Sequence, residues 1–595
     1  MDKNTNTNIN KREIILKNKI MHLSFQLTKK EPEEIIKIES QLSDLLFSLK
    51  VYLLISQNKE EINKYLFFLT ILFKIVAHTR DISIGKGQRE LTYRMITVWY
   101  KYFPKHTVFL FHFLCSSPET GSWKDVKYLC HYIQYHTKIL YDDKKEQFIQ
   151  KIIRITNEQL YIDISSIDTE KYPSLSKSPS SISMVSKWIP RENTKFHAIF
   201  ERCCQDWTTN YISKKKTTHS SQTQKQQNYY KQKYRQILSK LNRKIDTTQI
   251  KQCEKQTNTI FSSNISIHTK IRNETYFDQY PPIPVSTTKI ENLSTSTDNK
   301  NKTQEETPNQ NSKNINNYFL GELIKNPNKI KQKIWNNIRH NVPNQDQYII
   351  PFLDSSAENQ IDGIAIAIML SEISKLEDKI MLYNQKKAIW INFDKIKSVS
   401  LPTNNTITDK NKFLKQDRIQ KEIQNIQEKI IEIKRNSLSP FIACQKKKKP
   451  NVFLEPGIPS ASAMESKPIE LLIESFIETK LSLENIANLK LVFISDFVDM
   501  PRDHYSIIHS IFIKHKIIKI PKIIYWNISS KTVIHLPCAY NTPNVYFLAG
   551  THSQNLNHLL RQFENPNIKT PFDYLCSEVN QSKYETLDMY FNTTI

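Results

Sequence analysis

Glycine is nearly missing, with seven residues in a chain of 595. Glycine alone reaches positive φ or admits close backbone approach without steric penalty, so a chain this poor in it places one where the backbone requires it. Two of the seven fall together in RDISIGKGQRE, residues 80 to 90. Cysteine is sparse as well. Cys115, Cys130, Cys203, Cys204, Cys253, Cys444, Cys538 and Cys576 form no C-x-x-C pair, so neither a disulfide framework nor a zinc knuckle follows. H-E-x-x-H and G-x-S-x-G are also absent, which removes the motif-bearing metalloproteases and the nucleophile-elbow hydrolases. The richest apolar runs, YLFFLTILFKIVAH and VFLFHFLC, are shorter than the roughly 18 uninterrupted apolar residues of a membrane span. The charged first twenty residues do not resemble a signal peptide. The expectation is a soluble cytoplasmic chain without a membrane partner.

Acidic residues are the minority charge. Lys and Arg number 84 against 59 Asp and Glu, a formal charge of +25. Such an excess favours polyanions, although a sequence this rich in Lys, Asn and Ile owes part of it to composition. The length suggests two to four domains. Residues 1–14 are polar and expected to be disordered. From Lys17 to about His136 apolar residues recur every three or four positions, with breaks at Gly85, Pro104 and SSPETGSW, which predicts stacked helices, and an all-α domain is expected over 15–280. Residues 281–320 are poor in core-forming side chains and read as a disordered linker.

Beyond 330 the period changes. YIIPFLD (348–354), AIWINF (388–393), KLVFISD (490–496), KIIYWNI (522–528) and NVYFLAG (544–550) are short β-branched and aromatic runs separated by helical patterns. They predict a doubly wound α/β domain over 330–595 with a parallel sheet and a charged insertion at about 400–460.

The glycine pair raises a phosphate-loop question. A Walker A loop joins a strand to a helix through G-x-x-x-x-G-K-[ST]. Here position 80 is Arg80, Gly87 stands where the hydroxyl belongs, and the preceding pattern is helical. The favoured reading is a tight corner, with Arg80 and Asp81 pairing across it and Arg89 and Glu90 capping or docking the next helix.

TRDISIGKGQRELTYRMI, GSWKDVKYL (121–129) and VSKWIPRE (185–192) occur in that order. This set resembles a family of plants, fungi and large DNA viruses that joins a helical region similar to the TROVE module of the Ro autoantigen to a von Willebrand factor A-like domain. Its marker positions here are Arg80, Asp81, Gly85, Gly87, Arg89, Glu90, Gly121, Trp123, Lys124, Asp125, Lys187 and Trp188. PFLDSSAENQIDGIAIAIMLSE, LVFISDFVDM, IIYWNI and VYFLAGTHSQNLNHLL resemble its later signatures. The resemblance implies a helical-repeat domain followed by a vWA-like one. It further implies a metal-ion-dependent adhesion site at the carboxyl ends of the strands, where oxygen ligands hold a hard cation such as Mg²⁺. Asp354 and Ser356 match the first two positions and Asp496 the later Asp, while Glu358 replaces the second Ser. Only Ser460 and Ser462 offer a hydroxyl on the second loop. The alternative is that Asp354 and Asp496 cap the turns that follow them.

The stretch 211–255 carries twelve Lys or Arg against Asp246 and Glu254. Lys214, Lys215, Lys216, Lys231, Lys233, Arg235 and Tyr234 are its candidate nucleic-acid ligands, for phosphate neutralisation and base stacking. The competing reading is a helix with a solvated face, because Tyr234, Ile237, Leu238, Leu241 and Ile245 share helical spacing. Trp123 and Trp188 read as packing anchors, and Cys130, His131 and His136 as ordinary helix residues. The function expected is non-enzymatic binding of RNA or a ribonucleoprotein, with a protein partner on the α/β domain. The alternatives are a protein scaffold, virion-associated or not, and, last, a metal-dependent nuclease or phosphatase using Asp354, Asp496 and Asp499.

Overall fold

The computed structural model describes residues 2–117, 120–169, 182–212, 224–245, 319–325, 329–340, 347–376, 379–384, 387–392, 424–430, 466–498, 500–562 and 565–594. The linker expected at 281–320 lies almost wholly outside them, as does most of the 400–460 insertion and all of Lys214, Lys215, Lys216, Ser460, Ser462 and Asp499.

The chain opens with helices α1 (Asp2–Phe25), α2 (Pro32–Ile55), α3 (Lys59–Arg80), α4 (Arg89–Tyr102) and α5 (Pro104–Ser116). Residues 2–14, expected to be disordered, are the first turns of α1. Leu16, Ile20 and Leu23 are buried on that helix, and a docked amphipathic segment propagates helix into a polar neighbour at little nucleation cost. The Lys17 to Glu13 ion pair of 2.8 Å, one turn apart, reinforces it. Helix α3 has the length and apolar content to cross a membrane, but 67% of that window is buried in the fold, as in a core helix.

Next come α6 (Lys124–Tyr135), α7 (Asp142–Thr169), α8 (Val185–Trp188), α9 (His197–Trp207) and α10 (Gln224–Ile245). The C-terminal part holds a six-stranded sheet: β1 (Ile349–Asp354), β2 (Lys379–Tyr383), β3 (Ala388–Asn392), β4 (Lys490–Ser495), β5 (Lys522–Asn527) and β6 (Val545–Ala549), in the order β3-β2-β1-β4-β5-β6. Five strands are parallel and β3 runs antiparallel to β2, so the sheet is mixed where an all-parallel one was expected. The unexpected strand is β2. It joins β3 through a short turn in which the Lys387 amide donates to Asn384 Oδ1 at 2.8 Å, and a hairpin that tight forces antiparallel pairing.

The compact units do not follow the boundary read from the sequence. Residues 1–110 and 317–595 form one unit and 111–316 the other, so the helices expected over 15–280 are divided between them. The reason is visible in the first unit. Phe25 packs on Phe547 of β6 at 4.9 Å between ring centroids. Asn527 donates to the Phe25 carbonyl at 2.7 Å. The nearly buried Lys74 ammonium lies 2.6 Å from Asp588. An apolar stripe states that a helix needs a partner without saying which. Helices α1 and α3 find theirs in β6 and in the last helices, Pro571–Val579 and Glu585–Thr594, while α2 and α4 pack chiefly on each other and on α3.

In the second unit, α7, α9 and α10 share a polar core. Tyr234 donates to Asn157 Oδ1 at 3.0 Å, and Asn157 Nδ2 donates to the Cys203 carbonyl at 3.0 Å. Burial pushes the Cys130 thiol up to about 12 and raises Cys203 well above its ordinary value, which suits packing rather than nucleophilic chemistry.

Candidate functional sites

At the glycine corner the helix ends at Arg80 and Asp81 organises the turn. Its Oδ1 accepts the amides of Ser83 at 2.8 Å, Ile84 at 3.0 Å and Gly85 at 3.4 Å. Its Oδ2 accepts Tyr584 at 2.6 Å and pairs with Lys583. Gly85 has no room for a Cβ, which would stand 2.0 Å from the His78 carbonyl oxygen, and Gly87 adopts φ +61°. The amides that would cradle a phosphate are thus spent on a carboxylate, and Lys86 is buried with its ammonium 3.3 Å from the Ser24 carbonyl. The partner of Asp81 is Lys583 and not Arg80, while Glu90 pairs with Arg94 at 3.7 Å.

In the α/β unit, strand order reverses at β1, with β2 on one side and β4 on the other. Ligands of open α/β sheets bind in the crevice beyond the carboxyl ends of the strands at such a switch point. Asp354 ends β1 and Asp496 follows β4, and both line one cavity of about 100 Å³ together with Ser356, Ser495 and Tyr383. Asp354 Oδ1 accepts the Ser356 amide at 2.8 Å and its hydroxyl at 2.5 Å, and Oδ2 accepts Ser495 at 2.6 Å. Burial, then the charge of Asp354, raises the Asp496 carboxyl above its ordinary range. The next residue, Phe497, is held at φ +53°, a conformation costly for a bulky side chain and tolerated where the surroundings fix it.

Glu358 departs from its expected place. It accepts Ser530 at 3.0 Å and forms an ion pair with Lys531, which hold its carboxyl below the usual range. Its side chain therefore joins the loop after β5 and does not line the cavity. Ser495, which donates to Asp354, adds a second hydroxyl to the cavity, and the signal was present in LVFISD. Among the described residues no three His, Cys, Asp or Glu side chains form a metal-holding group. A cation here would rest on two carboxylates, the hydroxyls of Ser356 and Ser495, and water, an all-oxygen set suited to a hard ion. Lys30 donates to the Ser529 carbonyl at 3.0 Å, and burial pushes its ammonium down to about 7 against the opposing pull of Glu34 and Asp496.

On α10 the expected nucleic-acid ligands are split. Tyr234 is fully buried, so it stacks on no base; its helical spacing with Leu241 marks the core-facing stripe. Lys231 pairs with Glu201 at 2.6 Å and Arg235 with Glu192 at 3.1 Å. Lys233 remains exposed, 5.6 Å from the centre of the Tyr229 ring.

A second basic surface, unremarked in the sequence, is built from GSWKDVKYL and VSKWIPRE. The ammoniums of Lys124, Lys127 and Lys187 lie 5.2, 5.3 and 5.3 Å from the centre of the Trp188 indole. Lys195 lies 5.2 Å from the Phe196 ring and 6.0 Å from Tyr128. Trp123 is the buried anchor it was expected to be, but Trp188 is only half-buried.

Comparison with protein-family models, curated proteins and solved structures returns no match.

Proposed function

We propose that the chain is a non-enzymatic binding protein: the basic helical unit takes RNA or a ribonucleoprotein, and the α/β unit engages a protein partner through its acidic rim. One observation carries the second part. Asp354 and Asp496 stand together beyond the carboxyl ends of two adjacent parallel strands, at the place where strand order reverses. Burial first, and then repulsion from Asp354, raises the Asp496 carboxyl, and a divalent cation such as Mg²⁺ relieves that repulsion while leaving coordination positions for an acidic group of the partner. Asp354, Ser356, Ser495 and Asp496 would hold that ion. A doubly wound sheet with acidic tips at one rim supports the von Willebrand A-like reading of this unit. The TROVE-like reading applies to helices shared between both units.

Calorimetric titration of the full chain with Mg²⁺ and with Mn²⁺ tests the rim. The expected result is saturable binding that Asp354→Ala weakens at least about tenfold, since it removes one of two charged ligands. Absence of saturable heat in the unaltered protein would remove the cation from the reading. The RNA part rests on the formal charge of +25 and on α10, which carries seven basic residues and no acidic one. Affinity for a labelled RNA is expected to fall steeply with salt, because counterions are released on binding. The acidic partners of Lys231 and Arg235 favour the competing scaffold reading, which salt-independent or undetectable RNA binding would establish in its place.

A further inference from the structure

Where an RNA strand would lie on the helical unit is a separate question, and α10 is a poor answer. Its Tyr234 is buried and two of its cations are held by Glu192 and Glu201. The segment around α8 offers the opposite arrangement. Four ammoniums, from Lys124, Lys127, Lys187 and Lys195, gather within 5.2 to 6.0 Å of the rings of Trp188, Tyr128 and Phe196. Tyr128 and Phe196 themselves meet edge to face at 5.1 Å. We infer that this lysine-ringed aromatic cluster is a binding surface for single-stranded RNA, an inference that rests on the reading of the chain as an RNA-binding protein.

Three physical points converge on that ligand. Like charges gathered on one small surface repel each other, and a polyanion turns that cost into attraction. The half-buried Trp188 and Tyr128 are rings on which unpaired bases stack, an interaction tolerant of sequence and denied to bases already stacked in a duplex. Of the nearby acids, Glu192 and Glu201 are turned to Arg235 and Lys231 of α10, and Asp125 is buried, where it accepts the Ser122 amide at 3.2 Å. The positive field is felt at His131, whose pKa is lowered by burial first and then by His136 and Lys195. The residues come from two segments that the sequence singles out, GSWKDVKYL and VSKWIPRE, which gives those motifs a role beyond packing.

The test is fluorescence anisotropy on the full chain with a labelled oligouridine of about 15 nucleotides and, separately, the same strand annealed to its complement. Trp188→Ala is expected to weaken single-strand binding about tenfold and duplex binding by less than about twofold, with Trp188→Phe restoring most of the loss. Because Trp188 also packs, the pair Lys124→Gln and Lys127→Gln supplies a second measurement. It is expected to reduce the slope of log affinity against log salt by about 1.4, roughly 0.7 for each lost phosphate contact. If the unaltered protein binds the strand and these variants match it in affinity and slope, the cluster is not the site, although the chain still binds RNA. Loss confined to Lys231→Gln with Arg235→Gln places the strand on α10 and likewise overturns the inference. Polyglutamate bound as tightly as RNA, with the same sensitivity to Trp188→Ala, makes the surface one for acidic proteins and overturns it too. No binding by the unaltered chain ends both this inference and the RNA reading beneath it.

Discussion

Replacing Asp81 with alanine is expected to destabilise its unit by about 3 to 5 kcal/mol, the range for breaking a buried ion pair from one side. The side chain is completely buried, and burial alone would raise its pKa. Lys583, Tyr584 and the turn amides outweigh burial and hold it below the ordinary range. Alanine leaves the Lys583 ammonium and the Tyr584 hydroxyl facing an empty space, together with the amides of Ser83 and Ile84. An orphaned buried donor costs about 1 to 3 kcal/mol. Asp81→Asn is the informative companion, because it keeps an oxygen acceptor for the amides of Ser83 and Ile84 but sets an NH2 donor against Lys583 and Tyr584 where the charged Oδ2 accepted from both. Gly85→Ala should rival Asp81→Ala by a different route. The added Cβ meets the His78 carbonyl oxygen at 2.0 Å and Asp81 Cβ at 2.6 Å, and relief requires opening the Lys86 amide to His78 carbonyl bond of 3.0 Å. Equilibrium unfolding in urea, followed through the fully buried Trp99 and Trp526, measures all three. A midpoint for Asp81→Ala equal to that of the unaltered chain would mean that the corner is not what ties α3 to the C-terminal segment.

How much of this was legible depends on which residues are asked. Strands β4, β5 and β6 are buried along almost their whole length, so they read as continuous β-branched and aromatic runs. That made their existence visible, as it did the carboxylates that end β1 and follow β4, and Asp354 and Asp496 line one cavity. Strand β2 reads KIMLY, no shorter than β3 or β6 but too hemmed by charge to stand out. Glu358 illustrates a different limit. Spacing fixes where a residue sits on the loop, but Lys531, far along the chain, decides which way its carboxylate turns. Tyr234 was open to two readings, base stacking or the core stripe of α10, and only the packing partner Asn157 separates them. The division of the helices was the least legible feature. Nothing in the stripes of α1 to α4 distinguishes a partner on α6 from one on β6. Trp188 was legible as a landmark, yet its significance lies in lysines gathered from α6, α8 and the segment before α9.

Acid is expected to unfold the first unit well above the pH at which its carboxylates titrate. His552 is buried beneath the glycine corner, and His558 lies half-buried beside Glu578. His552 faces Gly87, with Lys86 and His78 close by, and meets the Phe319 ring at 3.8 Å between centroids, tilted by 47°. His558 faces Glu578, His78, Arg561 and Tyr574. Burial, then Lys86 and His78, pushes His552 down to about 3. Burial prevails over the opposing charge of Glu578 to bring His558 to about 4. Both folded values lie below the unfolded value of about 6.5. As pH falls through 6.5 the unfolded chain therefore gains protons that the folded chain refuses, and stability declines until the folded values are reached. Each histidine then contributes a slope of about 1.4 kcal/mol per pH unit, or about 2 kcal/mol by pH 5. Glu578 adds to the same direction lower down. Burial raises it, but His78 and Lys86 prevail and hold it at about 2, so its contribution is present above about 4.5 and is lost as pH falls toward 2. Unfolding free energies measured between pH 7.5 and 5 should thus fall steeply, and His552→Phe should flatten the decline by about 1.4 kcal/mol per pH unit whatever it does to stability at pH 7.5. A variant whose decline parallels that of the unaltered chain would mean that His552 takes up its proton in the folded state, and that the space beside Lys86 and Gly87 admits a charge.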